Sequence, residues 1–208
     1  MDLRFKMLPK CNPQEDYLEL NQLECNSNGE GIVGTFYNKD NSIKINIFLS
    51  DYALDQTRHK NIYFSIDEKN YLTKSVIVIN NDFYKKLMED NSLWSLIWHE
   101  MGHFHTLPYI LGDTSTLSYL ELRKTTTMSG DVMPEEKLGD LFAAFMNGKD
   151  KTINAIKWLR DTRKKEVENP AIDYAIKEYN NRIHFLKELD ENTAMDLYNK
   201  ILEENKLR

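Results

Sequence analysis

The sequence predicts an α+β fold, with a small N-terminal β-sheet packed on a central helix and a helical C-terminal half. Three observations predict it. Apolar runs of strand length crowd the first eighty residues, the periodicity turns helical after Ile79, and from Glu135 onward nearly every segment reads as helix. At 208 residues the chain can bury one sizeable core, and no repeat, low-complexity tract or clear linker divides it. The expectation is one domain over residues 1–208, sheet-rich over 1–80 and helical over 81–208.

Asn12 before Pro13 is an N-cap and first-turn pair, which predicts a helix from Pro13 to about Glu24 that NSNGEG then breaks. Strands are expected over Gly31–Tyr37, Ser42–Leu49, Ile62–Ile66 and Ser75–Ile79. In the second of these, Ile43, Ile45 and Ile47 alternate with Lys44 and Asn46, the pattern of a half-buried strand. The link NKDN has the length and turn residues of a hairpin. A short helix is expected from Asn81 or Asp82, then a longer one capped by Asn91 or Ser92 and ended by Pro108. Tyr109 to Pro134 reads as loop. Gly148 stops the next helix, Asp150 caps another, and Asn169-Pro170 precedes a third. On that third helix Ile172, Ile176, Tyr179, Ile183 and Leu186 form one apolar stripe, and a last charged helix starts near Glu191.

The chain carries 27 basic and 33 acidic residues, a net charge of −6, which argues against nucleic acid or an anionic membrane as partner. The basic cluster from Arg160 to Lys165 reads as a solvated helix face. The N-terminus shows no apolar signal core, and the apolar run Leu93–Trp98 is too short to span a bilayer. Cys11 and Cys25 lack metal-ligand spacing and read as free thiols, although they could pair. A cytoplasmic protein is the expectation.

The chemistry concentrates in LWSLIWHEMGHFHTLP, residues 93–108, which holds three of the five histidines. His99 and His103 are four apart, so a helix stacks them on one face, where two imidazoles can bind one zinc ion. Glu100 then projects beside the metal as a general base. This is the His-Glu-x-x-His arrangement. Gly102 permits close approach by another element. A catalytic zinc takes three protein ligands and keeps one position for water. His105 points away from the His99/His103 face, and positions 106 and 109 are Thr and Tyr, so the third ligand falls to a carboxylate. Asp113, Glu121, Asp131, Glu135 and Glu136 are candidates. Glu136 is preferred because Asp140 follows it by one helical turn and can hold a ligand histidine from behind. Small Gly139, Ala143 and Ala144 let that helix lie close to the first.

HEMGH followed by EKLGDLFA resembles the gluzincin metallopeptidases, whose pattern is His-Glu-x-x-His and then Glu-x-x-Ala-Asp-x-x-Ala. The separation of 33 positions from His103 to Glu136 is similar to that of the ImmA/IrrE family of soluble bacterial and phage peptidases. The run GKDKTINAIKWL and Arg182-Ile183-x-x-Leu186 look like soluble relatives of the HtpX-type peptidases. Together these cover about residues 75–189. The resemblance implies a zincin-like fold, with His99, His103 and Glu136 as zinc ligands, Glu100 as general base and Asp140 behind the ligands. Gly139 stands where the pattern has Ala. The chain lacks the DNA-binding helix pair of some ImmA/IrrE members and the membrane spans of HtpX types.

The function expected is zinc-dependent hydrolysis of a protein or peptide substrate, with a regulatory protein as a further partner. The substrate is expected to lie along an exposed sheet edge such as Ser75–Ile79. Tyr109, Tyr119, Arg123, Arg182 and His184 are the candidate donors to the developing oxyanion. The alternative is a zinc-holding regulatory or partner-binding module that cleaves nothing.

Overall fold

The computed structural model describes residues 3–7, 32–38, 44–49, 60–66, 72–111, 132–165 and 170–204. The chain forms two compact units, Met1–Glu89 and Asp90–Arg208. Strands precede helices, so the class is α+β.

The first unit holds β1 (Leu3–Met7), β2 (Ile32–Asn38), β3 (Lys44–Leu49), β4 (Lys60–Ile66), β5 (Leu72–Ile79) and α1 (Asn81–Glu89). The strands make one five-stranded sheet in the order β1-β2-β3-β5-β4. Three neighbour pairs are antiparallel, and β3 runs parallel to β5 with Ile47 opposite Ile77. Between β2 and β3 the register slips at Ile32/Gly34, placing an extra residue, Val33, on β2 beside a glycine. Ile45 and Ile47 are buried as their alternation requires.

Ser75–Ile79 is not an edge. It belongs to β5, which pairs with β3 on one side and β4 on the other, so its backbone has no open side for an added strand. The composition carries the reason: Ile77, Val78 and Ile79 are all buried, the continuous apolar run of a strand covered on both faces. β1 has no counterpart among the sequence-based strands. At α1 the Asn80 side chain accepts from the Phe83 amide at 2.8 Å and so caps the helix, and Phe83 and Leu87, one turn apart, are buried.

The second unit opens with Asp90, not Asn91 or Ser92, as cap. Its carboxylate accepts from the Ser92 amide at 2.9 Å and hydroxyl at 2.7 Å, starting a 3-10 turn at Asn91–Leu93. Then follow α2 (Trp94–Leu111), α3 (Pro134–Asn147), α4 (Lys149–Arg163), α5 (Pro170–Glu188) and α6 (Ala194–Glu204). α2 continues through Pro108 instead of stopping there. A proline inside a helix costs about 3 kcal/mol, but this one sits three residues from the end of a helix anchored by buried Leu96, Ile97, Met101 and Phe104. α3 begins at Pro134, where the missing N–H costs nothing. Gly148, at φ 93°, ends α3 in a conformation other residues avoid, and Asp150 lies in the first turn of α4 rather than capping it.

Leu138, Leu141, Ile153, Ile156, Ile183, Leu186, Leu189, Ala194 and Ile201 form the core that joins α3 to α6. The stripe on α5 is buried at Ile183 and Leu186 and half-buried at Ile172, Ile176 and Tyr179. Asn147 donates to the Asn91 carbonyl at 3.0 Å and to Ser95 Oγ at 2.9 Å, tying the start of α2 to the end of α3. The strands flanking the NKDN link pair antiparallel as a hairpin requires, while residues 39–41 of the link, the predicted helix at Pro13–Glu24 and both cysteines lie outside the described residues. Among the described residues no helix is long and apolar enough to cross a membrane.

Candidate metal centre

α2 and α3 meet on two glycines. A Cβ built on Gly102 would lie 2.9 Å from Gly139 Cα and 3.0 Å from Phe142 Cβ. A Cβ on Gly139 would lie 2.7 Å from His99 Cε1 and 2.8 Å from its Nδ1. Both distances are below real carbon contacts, so the ring of His99 occupies the space a side chain at 139 would take. The alanine that the gluzincin pattern carries there does not fit this chain without movement of His99.

That close approach brings Glu136 and Asp140 of α3 onto the histidines of α2. His99 Nε2 is 3.1 Å from Glu136 Oε2, and His103 Nε2 is 3.7 Å from Glu136 Oε1. The two imidazoles stand edge to face with centroids 4.6 Å apart. Ligand atoms of His99, His103 and Glu136 all lie within 4.8 Å of one another, and all three residues are buried. This buried group can hold a metal ion. Zinc bonds of about 2.0–2.2 Å at tetrahedral angles put neighbouring donor atoms about 3.4 Å apart. The two separations lie close to that value, each to a different oxygen of Glu136, and two nitrogens with one carboxylate are a common donor set for zinc.

Asp140 is completely buried, and its Oδ1 lies 2.8 Å from His99 Nδ1. An ionised carboxylate only accepts, so Nδ1 carries the proton and donates. The other nitrogen, Nε2, is then the one that would give its lone pair to a metal ion; in the metal-free protein it donates a hydrogen bond to the ionised Glu136 Oε2 at 3.1 Å. Glu100 is buried beside His103, its Oε2 3.9 Å from His103 Nε2. It does not join the three-residue group. Glu135 is also buried and lies outside that group.

The residue whose place the sequence reading missed is Arg182 of α5. Expected as an oxyanion donor, it is buried and directed at the two carboxylates. Its Nε donates to Asp140 Oδ2 at 2.8 Å, Nη2 donates to Asp140 Oδ1 at 2.6 Å, and Nη1 lies 3.0 Å from Glu136 Oε2. Nη2 also comes within 3.1 Å of His99 Nδ1; both groups carry protons there and share Asp140 Oδ1 as acceptor. The clue was in the sequence: Arg182 stands three residues after Tyr179 and next to Ile183, on the apolar stripe rather than opposite it.

These charges set the ionisation of the cluster. Burial pushes the Glu136 carboxyl upward, but Arg182, the His99 hydrogen bond and the two imidazoles outweigh it and hold the group well below the usual carboxylate range. Burial likewise opposes ionisation of Asp140, and Arg182 with His99 again prevails, so its pKa is lowered. Burial disfavours the Arg182 cation as well, yet Asp140 and Glu136 raise its pKa. Glu136, Asp140 and Arg182 thus form a buried network of ionised groups.

His184 is an exposed residue paired with Glu188 at 3.2 Å. The side chains of His105 and Tyr109, and all of Asp113, Tyr119, Glu121, Arg123 and Asp131, lie outside the described residues. No protein-family model, curated protein or solved structure matches the chain.

Proposed function

We propose that the chain is a zinc metallopeptidase of gluzincin type with a zincin-like catalytic core, hydrolysing peptide bonds of a protein or peptide substrate. The observation that carries this reading is the convergence of His99, His103 and Glu136, with Asp140 behind His99 and Glu100 beside His103. His99 and His103 would hold zinc through Nε2 and Glu136 through a carboxylate oxygen. When bound, zinc would acidify water and polarise the substrate carbonyl.

The remaining work belongs to the protein. Glu100 takes the proton of the attacking water on a carboxylate oxygen and returns it to the amide nitrogen as the C–N bond breaks. Asp140 keeps the Nδ1 proton on His99, so the ligand nitrogen stays unprotonated. Gly102 and Gly139 allow the two helices the spacing that this geometry needs.

A second reading is a zinc-holding module that cleaves nothing. Burial supports it: Glu100 is 7% and Glu136 8% exposed, so substrate access requires an opening or a partner that provides one. Zinc content measured alongside cleavage of an unfolded protein separates the two. Zinc with chelator-sensitive cleavage supports the peptidase, zinc without cleavage supports the module, and folded protein that refuses zinc ends both.

A further inference from the structure

A peptidase site of this type requires two histidines, a carboxylate ligand and a base; it does not require an arginine locked against that ligand. Arg182 approaches from α5, a third helix. Its Nε and Nη2 grip both oxygens of Asp140 at 2.8 and 2.6 Å, and this planar fork fixes the direction of the remaining nitrogen, Nη1. Nη1 lies 3.0 Å from Glu136 Oε2. All of this is buried, so water does not compete for the guanidinium.

We infer that Arg182 is a positioning residue that engages one oxygen of Glu136, makes it a one-oxygen metal ligand, and so selects a small four-coordinate cation over a larger, oxygen-seeking one. An oxygen that already accepts a charged N–H is the poorer donor to a second cation. Oε1, on the His103 side at 3.7 Å from Nε2, is the oxygen that the metal takes. Zinc accepts four ligands including a single carboxylate oxygen. Manganese, which favours carboxylate oxygens and higher coordination numbers, gains from a carboxylate bound through both oxygens, which the guanidinium opposes. The same three engaged nitrogens leave Arg182 unsuited to the oxyanion role.

The inference rests on the metal-centre reading above, but not on any hydrolytic step. Its test uses metal-free protein titrated with zinc, cobalt(II) or manganese(II) alone, in wild type, Arg182→Lys and Arg182→Gln. Wild type is expected to bind cobalt with the intense visible absorption of four-coordination. Both variants are expected to lose about 10–100-fold in zinc affinity, to narrow the preference for zinc over manganese, and to show the weaker cobalt bands of higher coordination. Lys keeps the charge but lacks the fork, so it does not rescue the spectrum. An arginine that merely braces the fold would lower the melting temperature while leaving the cobalt spectrum and the zinc-to-manganese ratio unchanged, and that result overturns the inference. A five-coordinate cobalt spectrum in wild type overturns it without any variant. Wild type that binds no metal instead removes the metal-centre reading itself.

Discussion

Gly139→Ala adds one methyl group at the place where α3 crosses the ring of His99. That carbon would stand 2.7 Å from Cε1 and 2.8 Å from Nδ1, with the His99 carbonyl oxygen at 3.1 Å. Ordinary contact begins near 3.4 Å, so the ring or the helix must give by about 0.6 Å or more. The ring cannot rotate away cheaply, because Asp140 holds Nδ1 at 2.8 Å and the His103 ring packs against it at 4.6 Å between centroids. Overpacking of this kind costs about 1–3 kcal/mol, while replacing glycine by alanine inside a helix returns about 1 kcal/mol. The net loss of stability is therefore small, about 0–2 kcal/mol. Metal affinity is the sharper readout. Displacing His99 from Asp140 should weaken zinc binding about 10–100-fold, as losses behind a ligand histidine do. Gly102→Ala tests the same crossing from the other side. Its methyl group would lie 2.9 Å from Gly139 Cα, backbone of the helix that carries Glu136 and Asp140, so it should push the two helices apart and weaken zinc binding as well. The assay is zinc titration against a competing chelator together with thermal melting of both metal-free variants. Gly139→Ala that binds zinc as tightly as wild type does would contradict this.

Glu136→Ala should abolish tight zinc binding, whereas Glu135→Ala, although its side chain is buried, should retain one zinc per chain; metal analysis after dialysis distinguishes them. Asp140→Asn keeps the shape but leaves the buried Arg182 charge with one carboxylate fewer. Breaking a buried pair costs about 3–5 kcal/mol, so the melting temperature should fall markedly and zinc affinity should fall with it. The pH dependence follows from the depressed carboxyls. Asp140 has a lower pKa folded than unfolded, so its contribution to stability is complete above the unfolded value of about 4 and is lost as pH falls through the folded value. Metal-free wild type should accordingly melt at steeply falling temperatures below about pH 4, and Asp140→Asn should show a shallower slope.

How far the fold could be read depended on whether the signal was local. β3 was legible because Ile45 and Ile47 alternate with Asn46, and β5 because its valines and isoleucines run together. The place of β5 inside the sheet was not, since pairing order is set by contacts between distant strands. LRFKM does alternate, but five residues with two basic side chains make a weak strand signal, and β1 went unread. Pro108 is a local stop signal overridden by the packing of its own helix. At the site, His99 and Asp140 were legible as a pair because each belongs to a fixed spacing on its helix, and their 2.8 Å contact follows from two glycines at the crossing. Arg182 lies 42 residues beyond Asp140, and no spacing rule links them. Its position on the apolar stripe of α5 was the local hint that it faces inward, but only tertiary structure could show which carboxylates it meets.

In the proposed peptidase Glu100 acts on water rather than on the metal. Glu100→Gln retains the size and most of the hydrogen bonding of the side chain while removing its basicity. The direct measurement is zinc content and cleavage of an unfolded protein substrate, made side by side on wild type and Glu100→Gln. One zinc per chain is expected in both, with hydrolysis reduced at least about 10²–10⁴-fold in the variant. Equal, chelator-sensitive cleavage by both proteins would contradict it.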